Sequence, residues 1–164
     1  MRHIIGILLQ NEAGALSRVA GLFSSRGYNI ESLSVAPTDD PTVSRLTLVT
    51  SGSDGVIHQI ANQLKKLIDV VSVEDMTRGE HIERELVLLT LRIPAERVAA
   101  LAARLGAAGG RLLDPSPECC VAELVGSEAE LNALLMELSH EAELIELVRS
   151  GALGISRRGR GEHR

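Results

Sequence analysis

The chain has 164 residues, 45% hydrophobic and 24% charged, which is globular material sufficient for one ordinary domain or two small ones. Its formal net charge of −5 offers no attraction to a phosphate backbone, so nucleic acid is not an expected partner. No apolar run reaches the roughly 18 residues of a membrane span, and "MRHIIGILLQNE" is too short and too quickly acidic for a signal peptide, so the expectation is a cytoplasmic protein with no membrane association.

In chain order, "HIIGILLQ" is a short apolar run closed by polar residues and reads as a buried strand. From Gly14 to Gly27, the residues Leu16, Val19, Ala20 and Phe23 recur at i, i+3, i+4 and i+7 and mark one face of a helix, with Gly27 at a left-handed closing position. "YNIESLSVAP" and "TVSRLTLVT" alternate and are β-branched, and the "TDDP" between them predicts a hairpin turn. Ile57, Ile60, Ala61, Leu64, Leu67 and Ile68 mark a second helix, and "VVSVEDM" a further strand. This β-α-β-β-α-β order is the ferredoxin-like plan.

After the polar stretch "TRGEHIERE" the plan restarts. "ELVLLTLRI" is a strand. Val98, Leu101, Ala102 and Leu105 stripe a helix that closes on Gly109 and Gly110, and "RLLD" and "ECCVAELVG" flank a Pro-Ser-Pro turn. Leu131, Leu134, Leu135 and Leu138 mark the last helix, followed by "LIELVR" and a short terminal strand in "ALGIS". The expectation is an α+β chain of two ferredoxin-like domains, residues 1–78 and 86–156, with a linker at 79–85 and a solvated, Arg-rich tail at 157–164.

Catalytic patterns are not found. Cys119 and Cys120 are adjacent, so in a strand they point to opposite faces, and neither has a partner at metal-ligand spacing. His3, His58, His81, His140 and His163 are scattered, and none stands beside a Ser or Cys in a nucleophile arrangement. "GAAGGR" follows a helix where a dinucleotide fingerprint follows a strand, so its glycines are turn or cap positions. Asp54-Gly55 lacks the downstream Asn pair of a thiamine-diphosphate motif.

The polar signal lies in "QNEAGALS", where the first strand ends and the first helix begins. A helix N-terminus carries unpaired N–H groups and partial positive charge, Asn11 supplies an amide that donates and accepts, and Gly14 permits close approach to the backbone. Such a loop suits a free amino acid, although Asn11 and Gly14 are equally readable as plain turn residues.

"NEAGALSRVAGLFSSRGYNIESLSVAPTDDPTVSRLTLVTSG" resembles the N-terminal ACT domain of the regulatory (small) subunit of acetohydroxyacid synthase, also called acetolactate synthase. The resemblance continues through "QIANQLKKLIDVVSVEDM", "HIERELVLLTLRI" and "RLLDPSPECCVAELVGSEAELNALL" to "ELVRSGALGISR", while "PAERVAALAARLGAAGG" departs from the family by being Ala-rich. It implies a non-catalytic homodimer, joined through its ACT domain, that stimulates a catalytic large subunit and confers feedback inhibition by valine. Thiamine diphosphate, Mg²⁺ and FAD would then reside on that partner. It further implies an effector site at the dimer interface, formed by Asn11, Gly14, Ala15 and Leu16 of one chain with Asn29 and Ile30 of the other. Phe23 and Tyr28 read as core or interface residues.

Three rivals share the fold or the ligand. An RNA-recognition module needs aromatic residues on its strands, which only Tyr28 could supply, and an acylphosphatase needs an Arg-rich loop where this chain has Glu12. A stand-alone amino-acid sensor acting on another partner, such as a transcription factor, would need a DNA-reading element, and no helix-turn-helix pattern or basic face is visible.

Overall fold

The computed structural model describes residues 1–157 and divides into two compact units, Met1–Ile82 together with the chain from Ala152, and Glu83–Gly151. The first contains β1 (Arg2–Gln10), α1 (Ala15–Ser25), β2 (Ile30–Pro37), β3 (Val43–Ser51), α2 (Asp54–Leu64) and β4 (Val70–Asp75). Its antiparallel sheet has the order β2-β3-β1-β4. Alternation along β1 sends Ile5, Ile7 and Leu9 to one face, where they join Leu46 and Leu48 of β3 and the helix residues Val19, Phe23, Ile57, Ile60 and Leu64 in one core. Burial of each large side chain in such a cluster contributes about 1.5–3 kcal/mol. α1 closes at Gly27, whose φ of +73° is the left-handed conformation its position calls for.

The second unit repeats the plan. β5 (His81–Arg92), α3 (Val98–Ala107), β6 (Arg111–Asp114), β7 (Cys120–Gly126), α4 (Glu128–Ser139) and β8 (Glu143–Arg149) give the sheet order β6-β7-β5-β8. Val87, Leu89 and Leu91 of β5 pack with Cys120, Ala122 and Leu124 of β7 beneath Leu101, Leu105, Leu131 and Leu138 of the helices. Both units are thus ferredoxin-like and the chain is α+β. α4 starts with a reciprocal cap: the Ser127 amide donates to Glu130 Oε2 at 2.7 Å, and Ser127 Oγ accepts from the Glu130 amide. Ser127's donors hold the Glu130 carboxyl below the usual range.

Three expectations change. The second helix, read from the sequence to run on through Leu67 and Ile68, ends at Leu64, and Ile68 is exposed. Residues 81–85, which the sequence presents as connection, belong to β5. Charged residues there hide the strand period, and Glu85, 6% exposed, is tolerated because Arg149 grips both of its carboxylate oxygens at 2.7 and 3.0 Å. The terminal strand β9 (Leu153–Ser156) pairs with β5, off the path β6-β7-β5-β8, yet it does not group with the second half. From Ala152 the chain lies with the first unit, where Ala152 joins Ile4, Val49 and Met76, and the Gly154 amide donates to Thr47 Oγ1 at 3.3 Å. Apolar alternation marks a strand but not the sheet it will join. Most of the proposed Arg-rich tail, residues 158–164, lies outside the described residues.

Two glycines make a contrasting test of packing. A Cβ on Gly110 would stand 2.7 Å from both the Glu123 carbonyl oxygen and Leu124 Cδ2, and the carbonyl is backbone that cannot step aside. A Cβ on Gly21, inside α1, meets nothing within 4 Å. Urea denaturation should show Gly110→Ala losing about 1–3 kcal/mol and Gly21→Ala gaining about 0.5–1 kcal/mol from helix propensity.

Candidate functional site

The β1–α1 connection is held open by its backbone. Gly14, at the N-cap of α1, has φ +88° and ψ −14°, a conformation that costs an L-residue about 1–2 kcal/mol. Its carbonyl accepts the Arg18 amide at 3.0 Å, and no side chain caps the helix start. Asn11 ties the loop to the β2–β3 turn: its amide N–H donates to the Thr42 carbonyl at 2.8 Å and its side-chain Nδ2 to the Pro41 carbonyl at 2.9 Å. That turn is itself braced, since Thr42 donates through both its amide and its hydroxyl to Asp40, holding the Asp40 carboxyl below its ordinary range. The Asn11 backbone N–H and one side-chain donor are therefore spent on structure, as the turn reading of this residue expects.

The site residues singled out from sequence do not all meet within one chain. Asn11, Gly14, Ala15 and Leu16 share the loop, with Leu16 exposed and the Ala15 methyl buried in the core, so that Ala15 can offer a ligand only its backbone. Asn29 and Ile30 lie elsewhere. The Asn29 carbonyl accepts from Thr50 Oγ1 at 2.6 Å and Ile30 pairs with Thr50, whereas Asn11 bonds to Thr42. Thr42 and Thr50 are at opposite ends of β3, about 26 Å apart at strand rise. Phe23 is core and the half-buried Tyr28 packs against it.

A charged pair that sequence reasoning missed flanks the loop. Arg18 Nε donates to Asp69 Oδ2, and Asp69, only 6% exposed, also accepts the Gln10 amide on its backbone carbonyl at 2.7 Å. The hydrogen bond from Arg18 holds the Asp69 carboxyl below the usual carboxylate range, against the opposing effect of burial, and the same bond raises Arg18. The only sequence signal for it was a cation one turn beyond Gly14, which reads as any exposed helix residue.

The matching connection in the second unit is built otherwise. Pro94 leads into a 3-10 turn, Ala95–Arg97, closed by the Arg97 amide donating to the Pro94 carbonyl at 2.9 Å, with no positive-φ glycine. Elsewhere, His3 is 2% exposed and satisfied by the Gly52 carbonyl at 3.2 Å, with Thr77 Oγ1 at 3.4 Å. Cys119 is exposed and Cys120 buried, its thiol pushed up by burial. Among the described residues no group of three His, Cys, Asp or Glu is placed to hold a metal, and no helix is long and apolar enough to cross a membrane.

The fold and the loop define the class: a ferredoxin-like α+β unit whose first helix is opened by a left-handed glycine. The comparisons agree and narrow the class: the family model "AHAS small subunit-like ACT domain" matches residues 5–72, and "Small subunit of acetolactate synthase" matches residues 84–158. The chain belongs to the acetolactate synthase small-subunit family. It is 45% identical over 157 residues to the acetolactate synthase isozyme 3 small subunit of Escherichia coli strain K12, covering 96% of each chain, and 44% identical to the acetolactate synthase small subunit of Haemophilus influenzae with the same coverage. The crystal structure of the acetolactate synthase small subunit from Thermotoga maritima superposes with a TM-score of 0.83 at 29% identity, covering 96% of this chain and 98% of that one.

The Asp69 pair carries a pH signature. A carboxyl lowered in the folded state stabilises the fold above its unfolded pKa, about 3.9, and that contribution is lost as pH falls through the folded value. Melting temperatures of Asp69→Asn and the parent, followed from pH 6 to pH 2.5, should differ at pH 6 and converge toward the acid end.

Proposed function

We propose that this protein is the regulatory small subunit of an acetolactate synthase: it pairs with a catalytic large subunit in the cytoplasm, stimulates it, and transmits feedback inhibition by valine. The catalytic chemistry and its cofactors, thiamine diphosphate, Mg²⁺ and FAD, belong on this reading to the large subunit. The role is supported by relatives that carry the small-subunit name over 96% of their length.

The single observation that carries the effector reading is the separation of the two asparagines along β3. Among the described residues, β2 is an edge strand with no neighbour on its outer side. A second chain added there antiparallel reverses the strand direction and brings its Asn29 end toward the Asn11 end of the first. Two chains would then assemble what one holds apart, giving a small polar cradle from Asn11, Gly14, Ala15 and Leu16 with the other copy's Asn29 and Ile30. An amino acid bound there inhibits only if it binds two global states unequally, a coupling of typically 1–3 kcal/mol.

Reconstitution with the purified large subunit, assayed with and without valine, leucine and isoleucine, tests the whole reading: stimulation by this chain and valine-dependent inhibition are expected, and absence of both overturns it. Gly14→Asp places a carboxylate where the ligand's own should rest. The variant should fold, stimulate, and bind valine at least tenfold more weakly by calorimetry, because a like charge now meets the ligand and the left-handed backbone is strained. Mixing Asn11→Ala with Asn29→Ala chains should restore part of the valine binding that each lacks, since some mixed dimers carry one intact cradle. A mixture as inert as its components, with chain exchange verified by mass spectrometry, places the site within one chain.

A further inference from the structure

The β1–α1 loop has a fixed cation beside it. Helical side chains lean toward the N-terminus, and Arg18, one turn into α1, returns over the glycine that opens the helix. Its Nη1 stands 2.9 Å, and its Nη2 3.7 Å, from the point a Cβ on Gly14 would occupy. The position is anchored, because Nε donates to Asp69, whose side chain is 8% exposed, and the Asp69 carbonyl receives the last amide of β1. Residue 69 therefore ties down both ends of the loop, β1 through Gln10 and α1 through Arg18.

With Nε spent on Asp69, the two terminal nitrogens keep donors toward the space beside Gly14, and the Arg18 side chain is 48% exposed. A guanidinium held on one edge and open on the other is preorganised for a second carboxylate, because its planar fork pairs with such a group through two bonds. Glu12, exposed in the same loop, is the other charge that acts on Arg18. Charges of both signs in one loop suit a zwitterion better than a simple anion.

We propose that Arg18 receives the α-carboxylate of the amino-acid effector, and that Asp69 is the positioning residue that holds Arg18 for it. This rests on the effector site proposed above. The rival explanation is that the Arg18–Asp69 pair is only a structural tie for the loop, and the two differ in which part of the ligand they sense.

The test is calorimetry on the full-length chain with valine and with valinamide, whose neutral amide replaces the carboxylate. The parent should prefer valine. Arg18→Met should weaken valine by about tenfold to a hundredfold, the range of a charge-assisted bond, and leave valinamide within about twofold, erasing the preference. Arg18→Gln, which keeps a donor for Asp69, should do the same and serves where Arg18→Met, leaving Asp69 buried and unpaired, fails to fold. Asp69→Asn should give a smaller loss of the same selectivity. Equal losses for both ligands would establish the structural tie and overturn the proposal, as would a variant that binds valine like the parent. A parent that binds no branched-chain amino acid overturns the effector site itself, and this assignment with it.

Discussion

The ladder between β1 and β3, running without a bulge from Arg2 opposite Ser51 to Gln10 opposite Val43, is the constraint on which the first unit depends. Both strands are buried on both faces over most of their length, so a slip of one residue would turn Ile5, Ile7 and Leu9 away from the helices. The same ladder decides the geometry of the candidate site. It delivers Asn11 to the β2–β3 turn at one end and leaves Asn29 at the other, so a ligand that needs both asparagines needs two chains.

The two units show how one plan is used for different ends. Their sheet orders are equivalent and each carries its helices on one face. They differ where the first strand meets the first helix. In the first unit a left-handed glycine opens the helix and a guanidinium leans over it; in the second, a 3-10 turn behind Pro94 fills that place. A proline with φ of −55° cannot adopt the open turn that Gly14 makes, so the second unit lacks the feature on which the effector reading rests.

Among the described residues, Asp69 and Glu85 are the buried carboxylates, and each is gripped by an arginine from another element, Arg18 and Arg149. Burying either carboxylate alone would cost several kcal/mol, so each pair also specifies which elements must meet. Asp69 links the end of β1 to α1, and Glu85 links β5 to β8.

The order of strands and helices in both halves, the closing glycine at residue 27 and the loop holding Asn11, Gly14, Ala15 and Leu16 were determined by the sequence alone. They depend on periodicity and on the conformations open to glycine and proline, which act over a few residues. The family was legible by resemblance, in the long string around that loop. Tertiary structure alone decided the start of β5 at His81, the return of the chain from Ala152 to the first unit, the Arg18–Asp69 tie, and the placement of Asn29 and Ile30 a strand's length from Asn11. Each of these joins residues far apart in the chain, and a charged or small residue carries no local mark of the partner it will find.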